Sequence, residues 1–594
     1  VPQNPTFNVT ENKRYPQWLV GQRAQNIGWP LLSGILYASG FPLFGTRYFF
    51  VLGTTLSVFI LFNPFIKNAH ADEPIKARFL WLIQRVALHG TGLFLAGFYW
   101  IPGTLKEFGA IPAPINSIFG ILFSFFLLPH FYFFAVSILL LNHLLKSKNL
   151  KLNATPWLTS MALALFMAQL ELFIPQQFPA HIGHSWLYLS PYLGLASIFG
   201  DTLFTFFNCF IAFAWILLPH KPKKKIQFSL AFLLIFIFAN VMASLAQSKF
   251  PSHPLKVRFV QANIGNNQKL SAESGAVDSV DYVLNLYQRL SVEKANLNAP
   301  PFDLIIWPET AYPLLNQSYH WDLTPKMKSS NDGTLPRKKN IPLPNLFREV
   351  ISNTNANLLF GGYDQNPHVS PYDLYESEYN TAFLLDSNQK DYSLYYKHLL
   401  IPFGEGLPFG PLNKPLSGLL QNISFFAAGD RFEMMSFKTQ AGVDTHFMTA
   451  ICYEILFPRY LWTYWKTYWK EYQVTPQMIV NLTNDSWYGD TAEPEQHLFL
   501  ARWRALEYSI PILRSTNTGI TVVIDPRGVE SERLSVGKIG TLDLVVDLPT
   551  QMKTLFSFWG HWPLHLGFIF TWCCLIYFQW VGRNSSDGTI VSTK

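Results

Sequence analysis

Three apolar runs in the second half of the chain each end on a residue able to do chemistry. Glu309 closes IIWPE, Lys397 closes YSLYYK and Cys452 closes FMTAIC. Taken singly, each has an ordinary reading. A thiol after an apolar strand is commonly inert core, a glutamate after proline commonly caps a turn or helix, and a lysine at a strand end is commonly a solvated charge. Together they differ, because a carboxylate, an ammonium and a thiol at the same ends of neighbouring strands supply a base, an oxyanion stabiliser and a nucleophile. The chemistry expected of the set is acyl transfer through a thioester on Cys452. Glu309 would take the thiol proton, and Lys397 with nearby backbone N–H groups would stabilise the tetrahedral oxyanion, worth ~3–4 kcal/mol per donor. No G-x-G-x-x-G, G-x-x-x-x-G-K or H-E-x-x-H occurs, nor a Cys/His cluster with metal spacing, so neither cofactor nor metal is expected.

The elements that must position these residues recur through 255–550, a stretch of ordinary polarity. The runs are VRFVQANI from Val257, DLIIWPE from Asp303, NLLFGGYD from Asn357, HFMTAICYE from His446 and QMIVNLTND from Gln477. Their near-continuous apolar character predicts strands buried on both faces, covered by helices such as 279–298 and 493–508. The class expected is α/β.

Around that stretch the composition is that of a membrane protein. Charged residues are 14% of the 594, against an ordinary ~25%, and aromatics reach 16%. Uncharged runs of ~18 residues or more read as spanning helices. Seven precede the polar stretch, at 27–44, 48–65, 79–100, 115–145, 157–174, 202–218 and 226–246, and an eighth follows at 555–580. The expected division is a seven-span membrane domain at 1–254, one soluble domain at 255–550, and an eighth span with a tail at 551–594. Lys and Arg alternate between loops: Lys13, Arg14, Arg23, Lys67, Lys76, Arg78, Lys146, Lys148, Lys151, Lys221 and Lys223–Lys225 on one side, only Arg47 and Lys106 on the other. Positive residues stay cytoplasmic, so both termini are expected inside and the soluble domain on the outer face. The first run is expected to serve as its own insertion signal. Loop 175–200 lacks Lys and Arg and carries Trp186, Tyr188, Tyr192 and Phe199. It reads as an aromatic belt at the outer headgroups or as a lipid entry. Arg85, Glu171 and Asp201, each near the end of an apolar run, are either functional or snorkelling. Nothing in the net charge of +7 suggests nucleic acid, and the four cysteines make no disulfide framework.

A longer set of motifs carries a resemblance. WPETAYP around Glu309, YYKHLLIPFGEGLP around Lys397, AICYEILFP around Cys452 and NLTNDSWYGDTAEPEQHLFLARWRALEYSIPILRSTNTG downstream resemble the carbon–nitrogen hydrolase (nitrilase) superfamily. Within it they resemble the membrane-bound branch that N-acylates apolipoproteins. The resemblance covers nearly the whole chain and implies a polytopic helical membrane bundle of eight spans with an inserted αββα sandwich. It implies a Glu309–Lys397–Cys452 triad as base, oxyanion-stabilising cation and nucleophile. Glu405 would support the site, Tyr453 and Glu454 would gate substrate, and Asn380 would be an active-site asparagine. The partners implied are a phospholipid acyl donor, expected to be phosphatidylethanolamine, and a lipoprotein whose N-terminal diacylglyceryl-cysteine accepts the chain. The location implied is a bacterial inner membrane, with the catalytic domain on the periplasmic side.

Two stretches depart from the branch. Leu270 follows Lys269 where an aromatic is usual, so no substrate-clamping tryptophan is assigned. The stretch 316–342 looks inserted, and with Lys326, Lys328, Arg337, Lys338 and Lys339 it reads as a solvated loop or as a contact for anionic headgroups. The same triad also serves a membrane-anchored amidase in which water resolves the acyl-enzyme. A dry surround would separate the two, and loop 175–200 with Phe457, Tyr460, Trp462, Tyr464 and Trp465 is the expected source of it.

Overall fold

Proline sets where several helices of the apolar half begin, since at a first turn its missing N–H has no partner to lose. The structure, a computed structural model, describes residues 24–42, 50–109, 111–147, 155–247, 251–293, 301–318, 324–325, 344–370, 375–389, 391–402, 404–407, 409–417 and 425–587. Its helices α1 Trp29–Ala38, α2 Phe50–Ile66, α3 Ile75–Gly97, α4 Ile115–Ser124, α5 Pro129–Ser147, α6 Pro156–Phe173, α7 Thr202–Leu217 and α8 Pro222–Ala246 occupy the seven expected runs. The fourth run is two helices because Pro129 cannot continue the first, and they meet at a 42° bend.

Among the described residues, fewer than eight helices are long and apolar enough to cross a membrane by themselves. By length and composition α3, α6 and α8 are each sufficient to cross a membrane, and α4 with α5 makes a fourth if the bent pair is one span. The apolar parts of α2, α7 and the last helix are shorter. The end of the first run and the basic residues Lys13, Arg14, Arg23, Arg47, Lys148 and Lys151 lie outside the described residues. Of those that are described, the Lys146 ammonium donates to Ala71 O (3.5 Å) and that of Lys225 to Trp215 O (2.6 Å).

Charged residues in the apolar half correct the sequence reading. Arg85 lies mid-helix in α3, not near its end, and its guanidinium donates to the carbonyls of Leu61 (3.1 Å) and Ile60 (2.7 Å) in α2. Glu171 accepts from Ile182 N (2.7 Å) and Thr205 Oγ1 (2.5 Å), tying loop 175–200 inward. The loop is therefore no simple belt. Trp186 is buried and donates to Asn208 Oδ1 at 2.8 Å, while Tyr192 stays exposed.

The polar stretch folds as two facing sheets. The first has eight strands: β1 Ser252–Gln261, β2 Leu304–Ile306, β3 Tyr312–Asn316, β4 Thr324–Pro325, β5 Asn357–Gln365, β6 Glu378–Leu385, β7 Asp391–Tyr396 and, from the end of the domain, β14 Gly540–Pro549. The second runs β13-β12-β11-β10-β9-β8, from β8 Met435–Lys438, β9 Asp444–Ile451, β10 Met478–Thr483, β11 Ile512–Thr516, β12 Thr521–Ile524 and β13 Glu530–Leu534. The near-continuous apolar runs are explained by strand pleat, because alternate residues serve two different cores. Leu304, Ile306, Leu359, Ala382 and Tyr395 join one core with the second sheet. Ile305, Leu358, Phe360 and Phe383 face outward, under α9 Val277–Val292 and α10 Asn345–Thr354. On the other side lie α11 Pro458–Tyr472 and α12 Glu493–Tyr508. β1 and β14 pair antiparallel over their whole length, Ser252 opposite Pro549, so the chain enters and leaves the domain side by side. That brings α8 and the last helix, α13 Trp562–Asp587, to the same edge of the sandwich.

Candidate active site

Parallel strands aim their carboxyl ends at one edge, and side chains just past those ends converge there. Glu309 lies three residues past β2, Lys397 directly follows β7, Cys452 directly follows β9, and Asn380 lies at the start of antiparallel β6. The structure brings all four together. Glu309 Oε1 accepts from Lys397 Nζ (3.2 Å) and Asn380 Nδ2 (2.8 Å), while Glu405 Oε1 accepts from the same two groups at 2.8 and 3.1 Å. Glu405 Oε2 accepts from Ile401 N at 3.0 Å, closing the loop after the lysine. Lys397 is 0% exposed and Cys452 4%, so the whole group sits out of bulk water. Gly361 of β5 permits this packing, since a Cβ there would lie 2.6 Å from Glu309 Cα.

Burial opposes the Lys397 ammonium, but the Glu309 and Glu405 carboxylates outweigh it and hold it well above the ordinary lysine range. Burial and then the Glu309 carboxylate push the Cys452 thiol well above its usual value, against the pull of Lys397 and of the neighbouring Thr483 hydroxyl. The resting site is thus an ion pair beside a protonated thiol. A carboxylate within Coulombic reach of that thiol is the natural acceptor for its proton during attack.

Cys452 itself has φ of 54°, a left-handed conformation unfavourable for a side chain with Cβ. It is held there by a hydrogen-bonded chain. Asn481 Nδ2 donates to Cys452 O (3.1 Å), and Asn481 Oδ1 accepts from Arg514 Nη1 (2.6 Å). Arg514 Nη2 donates to Asp485 Oδ2 (3.0 Å), and Thr483 Oγ1 donates to Asp485 Oδ1 (3.2 Å). The Thr483 hydroxyl, its proton given to Asp485, lies beside the Cys452 thiol. None of these residues was singled out in the sequence. Their signal was present as Asn481, Thr483 and Arg514 interrupting apolar strands, but only the β10–β11 register, which sets Asn481 against Arg514, joins them.

Tyr453 and Glu454 bind the two sheets to each other. Glu454 is fully buried, and its carboxylate accepts from His398 N (2.7 Å), Leu399 N (3.0 Å), Ile451 N (2.8 Å) and Tyr395 Oη (2.9 Å). Burial raises its pKa and the backbone donors oppose the rise. Tyr453 Oη donates to Leu400 O at 2.9 Å. Of the aromatic residues expected to line a dry surround, Tyr464 and Trp465 are consumed by the core. Leu270 is 54% exposed, and most of 316–342, with all five of its basic residues, lies outside the described residues.

Two groups of carboxylate and imidazole are close enough to share an ion: Asp485, Glu493 and His497, and His181, His184 and Asp201. In each, an arginine already faces the carboxylate, Arg514 at 3.0 Å from Asp485 and Arg504 at 3.3 Å from Asp201, and supplies the compensating charge. The second group joins loop and domain, since Arg504 lies on α12.

Facing sheets with a buried glutamate, lysine and cysteine gathered at their strand ends define a class, and residues 256–551 match the carbon–nitrogen hydrolase family, to which the chain belongs. Over most of its length the chain is similar to apolipoprotein N-acyltransferases. That of Bdellovibrio bacteriovorus is 28% identical over 575 residues, covering 94% of this chain and 95% of its own. That of Haemophilus ducreyi is 28% identical over 506 residues, covering 83% and 86%. Among solved structures, Saccharomyces cerevisiae Nit3, a member of branch 10 of the nitrilase superfamily, is similar at 15% identity over 52% of this chain and 95% of its own, with a TM-score of 0.31. The likeness to the acyltransferases extends through the helices that precede the sandwich.

Proposed function

We propose that the protein transfers an acyl chain from a membrane phospholipid, through a thioester on Cys452, to the α-amino group of the N-terminal diacylglyceryl-cysteine of lipoproteins. Glu309 takes the thiol proton as sulfur attacks the ester carbonyl, and Lys397 stabilises the oxyanion. Collapse breaks the bond to the glycerol oxygen, Glu309 returns the proton to it, and lysophospholipid leaves. The acceptor amine, with a pKa of about 8, is partly neutral at pH 7. It attacks the thioester, gives a proton to Glu309, and restores the thiol. Glu405 and Asn380 hold the Glu309–Lys397 pair, and Tyr453 and Glu454 tie the loop after Lys397 to the Cys452 turn. Phosphatidylethanolamine is the donor we favour.

The observation that carries this reading is how the site is mounted. Helix α12 reaches the Cys452 turn at its start and the helical bundle along the rest. Gln496 Nε2 donates to Gly97 O (2.8 Å), Gln496 Oε1 accepts from Trp100 Nε1 (3.0 Å), and Phe499 packs on Phe41. A hydrolase of small amides needs no such mount. A two-chain lipid does, because at ~0.8 kcal/mol per buried CH₂ it will not leave the bilayer on a useful timescale. On this reading 1–254 and 551–594 are the membrane parts, crossing eight times, and 255–550 is the catalytic domain on the periplasmic side with both termini cytoplasmic. The position of Lys146 and Lys225 at helix ends supports that orientation, as does the contact of Gly97 and Trp100 with the sandwich.

The test is intact-mass spectrometry after incubation with phospholipid. A hydroxylamine-labile acyl adduct on Cys452 is expected, and a diacylglyceryl-cysteine peptide with a free N-terminus should discharge it within minutes as an amide. An adduct on Cys209, Cys573 or Cys574, or none, overturns the mechanism. Discharge at one rate with and without peptide, yielding only fatty acid, makes the protein a hydrolase.

A further inference from the structure

Helix α11 has a buried side of Leu461, Tyr464, Trp465 and Tyr468 and an outer side that the chemistry of Cys452 does not use. At 100° per residue, Arg459, Lys466 and Lys470 fall on one exposed ridge, and Trp462 and Trp469 on the ridge beside it. Cations stand over rings along the strip: Arg459 over Phe173 at 4.7 Å, Lys466 over Trp462 at 4.9 Å, and Lys553, from the loop after β14, over Trp469 at 3.3 Å. A ring beneath a cation holds it in place and leaves its other side open to an anion. Arg459, Lys466, Lys470 and Lys553 are in no ion pair among the described residues, and Glu471 lies on the far flank toward Glu433.

The ends of the strip fix its height. Phe173 is the last residue of α6. Trp462 packs on the turn that opens α13, so closely that a Cβ on Gly560 would lie 2.5 Å from its ring. Phe558 (81% exposed) and Trp562 (55%) flank that turn. Tryptophan beside lysine and arginine at the ends of apolar helices is the pattern of a membrane–water boundary. We propose that this face of α11, with Lys553, binds the headgroup phosphates of outer-leaflet phospholipids and presents donor lipids to the site. The inference rests on the proposed function in one respect, that the bundle spans a bilayer with the sandwich outside it.

Two measurements on the full-length protein in nanodiscs test it. With phosphatidylglycerol diluted in phosphatidylcholine, the triple variant Arg459→Gln, Lys466→Gln, Lys553→Gln should need roughly tenfold or more phosphatidylglycerol for half-maximal acylation of Cys452. Its maximal rate, and its acylation by a water-soluble short-chain nitrophenyl ester, should be unchanged. An unchanged phosphatidylglycerol requirement overturns the proposal. The second measurement needs no variant: a phospholipid with a photoactivatable headgroup should crosslink within 459–470 of the wild-type chain, and millimolar inorganic phosphate should not prevent it. Crosslinks only elsewhere, or loss of the crosslink to phosphate, overturn the assignment to lipid. If no phospholipid acylates the wild-type protein, the proposed function fails, while the crosslinks still decide the strip.

Discussion

The two sheets contribute unlike halves of one site. On the first, Glu309, Asn380, Lys397 and Glu405 share hydrogen bonds unequally, with two carboxylates around one ammonium. On the second, Cys452 is held by a chain of Asn481, Arg514, Asp485 and Thr483 in which one arginine meets one carboxylate. The first half has charge poised to move a proton, whereas the second is a closed mount with nothing to give up. Strain at Cys452 is tolerable because the mount holds its carbonyl. Glu454 is the strap between them, taking N–H groups from both sheets' loops.

Loss of Cys452, Glu309 or Lys397, the residues that react, should have the largest effect on rate. Cys452→Ala should give no adduct. Glu309→Gln and Lys397→Ala should each slow single-turnover acylation by ~10³-fold or more, and the double variant by little beyond the worse single one. Near-normal turnover in either removes that residue from its role. Losses in the second half should appear as stability. Asp485→Asn strips Arg514 of its partner and should cost ~3–5 kcal/mol, read as a lower Tm, with less effect on rate than Glu309→Gln.

Glu454→Ala tests the strap. Four donors lose their acceptor at ~1–3 kcal/mol each, so a lowered Tm is expected before any kinetic effect. An unchanged Tm with slowed lipid exchange would make Glu454 a gate instead. The pH dependence of iodoacetamide labelling sharpens the contrast further. A thiol held above its usual range should still gain labelling rate above pH 9. Glu309→Gln removes a negative neighbour and should move the profile down while acylation slows, and Lys397→Ala should move it up. The smallest effect belongs to Thr483→Val, which removes the hydroxyl that lowers the pKa of the neighbouring thiol. It should slow acylation by about tenfold at most and raise the labelling profile, with Thr483→Ser restoring both.

Residue type and chain pattern carried much of this. Glu309, Lys397 and Cys452 stood out because a charge or thiol ending an apolar strand is unusual, and strand ends in a parallel sheet share an edge. Hydropathy located a helix in every apolar run, because burying apolar surface needs no knowledge of the partner. It did not reveal that Pro129 breaks the fourth run or that Arg85 finds carbonyls inside the bundle. Asn481 and Arg514 are 33 residues apart in the chain and become neighbours only through strand register. Loop 175–200 looked like a surface belt because its aromatics are amphipathic, yet Glu171 and Asp201 draw it inward through bonds to Ile182 and His184. Local pattern therefore determined which residues can react and which segments are apolar. Tertiary structure decided which polar groups satisfy one another, since a buried hydrogen bond depends on two distant groups arriving at one distance and angle, and nothing local encodes that.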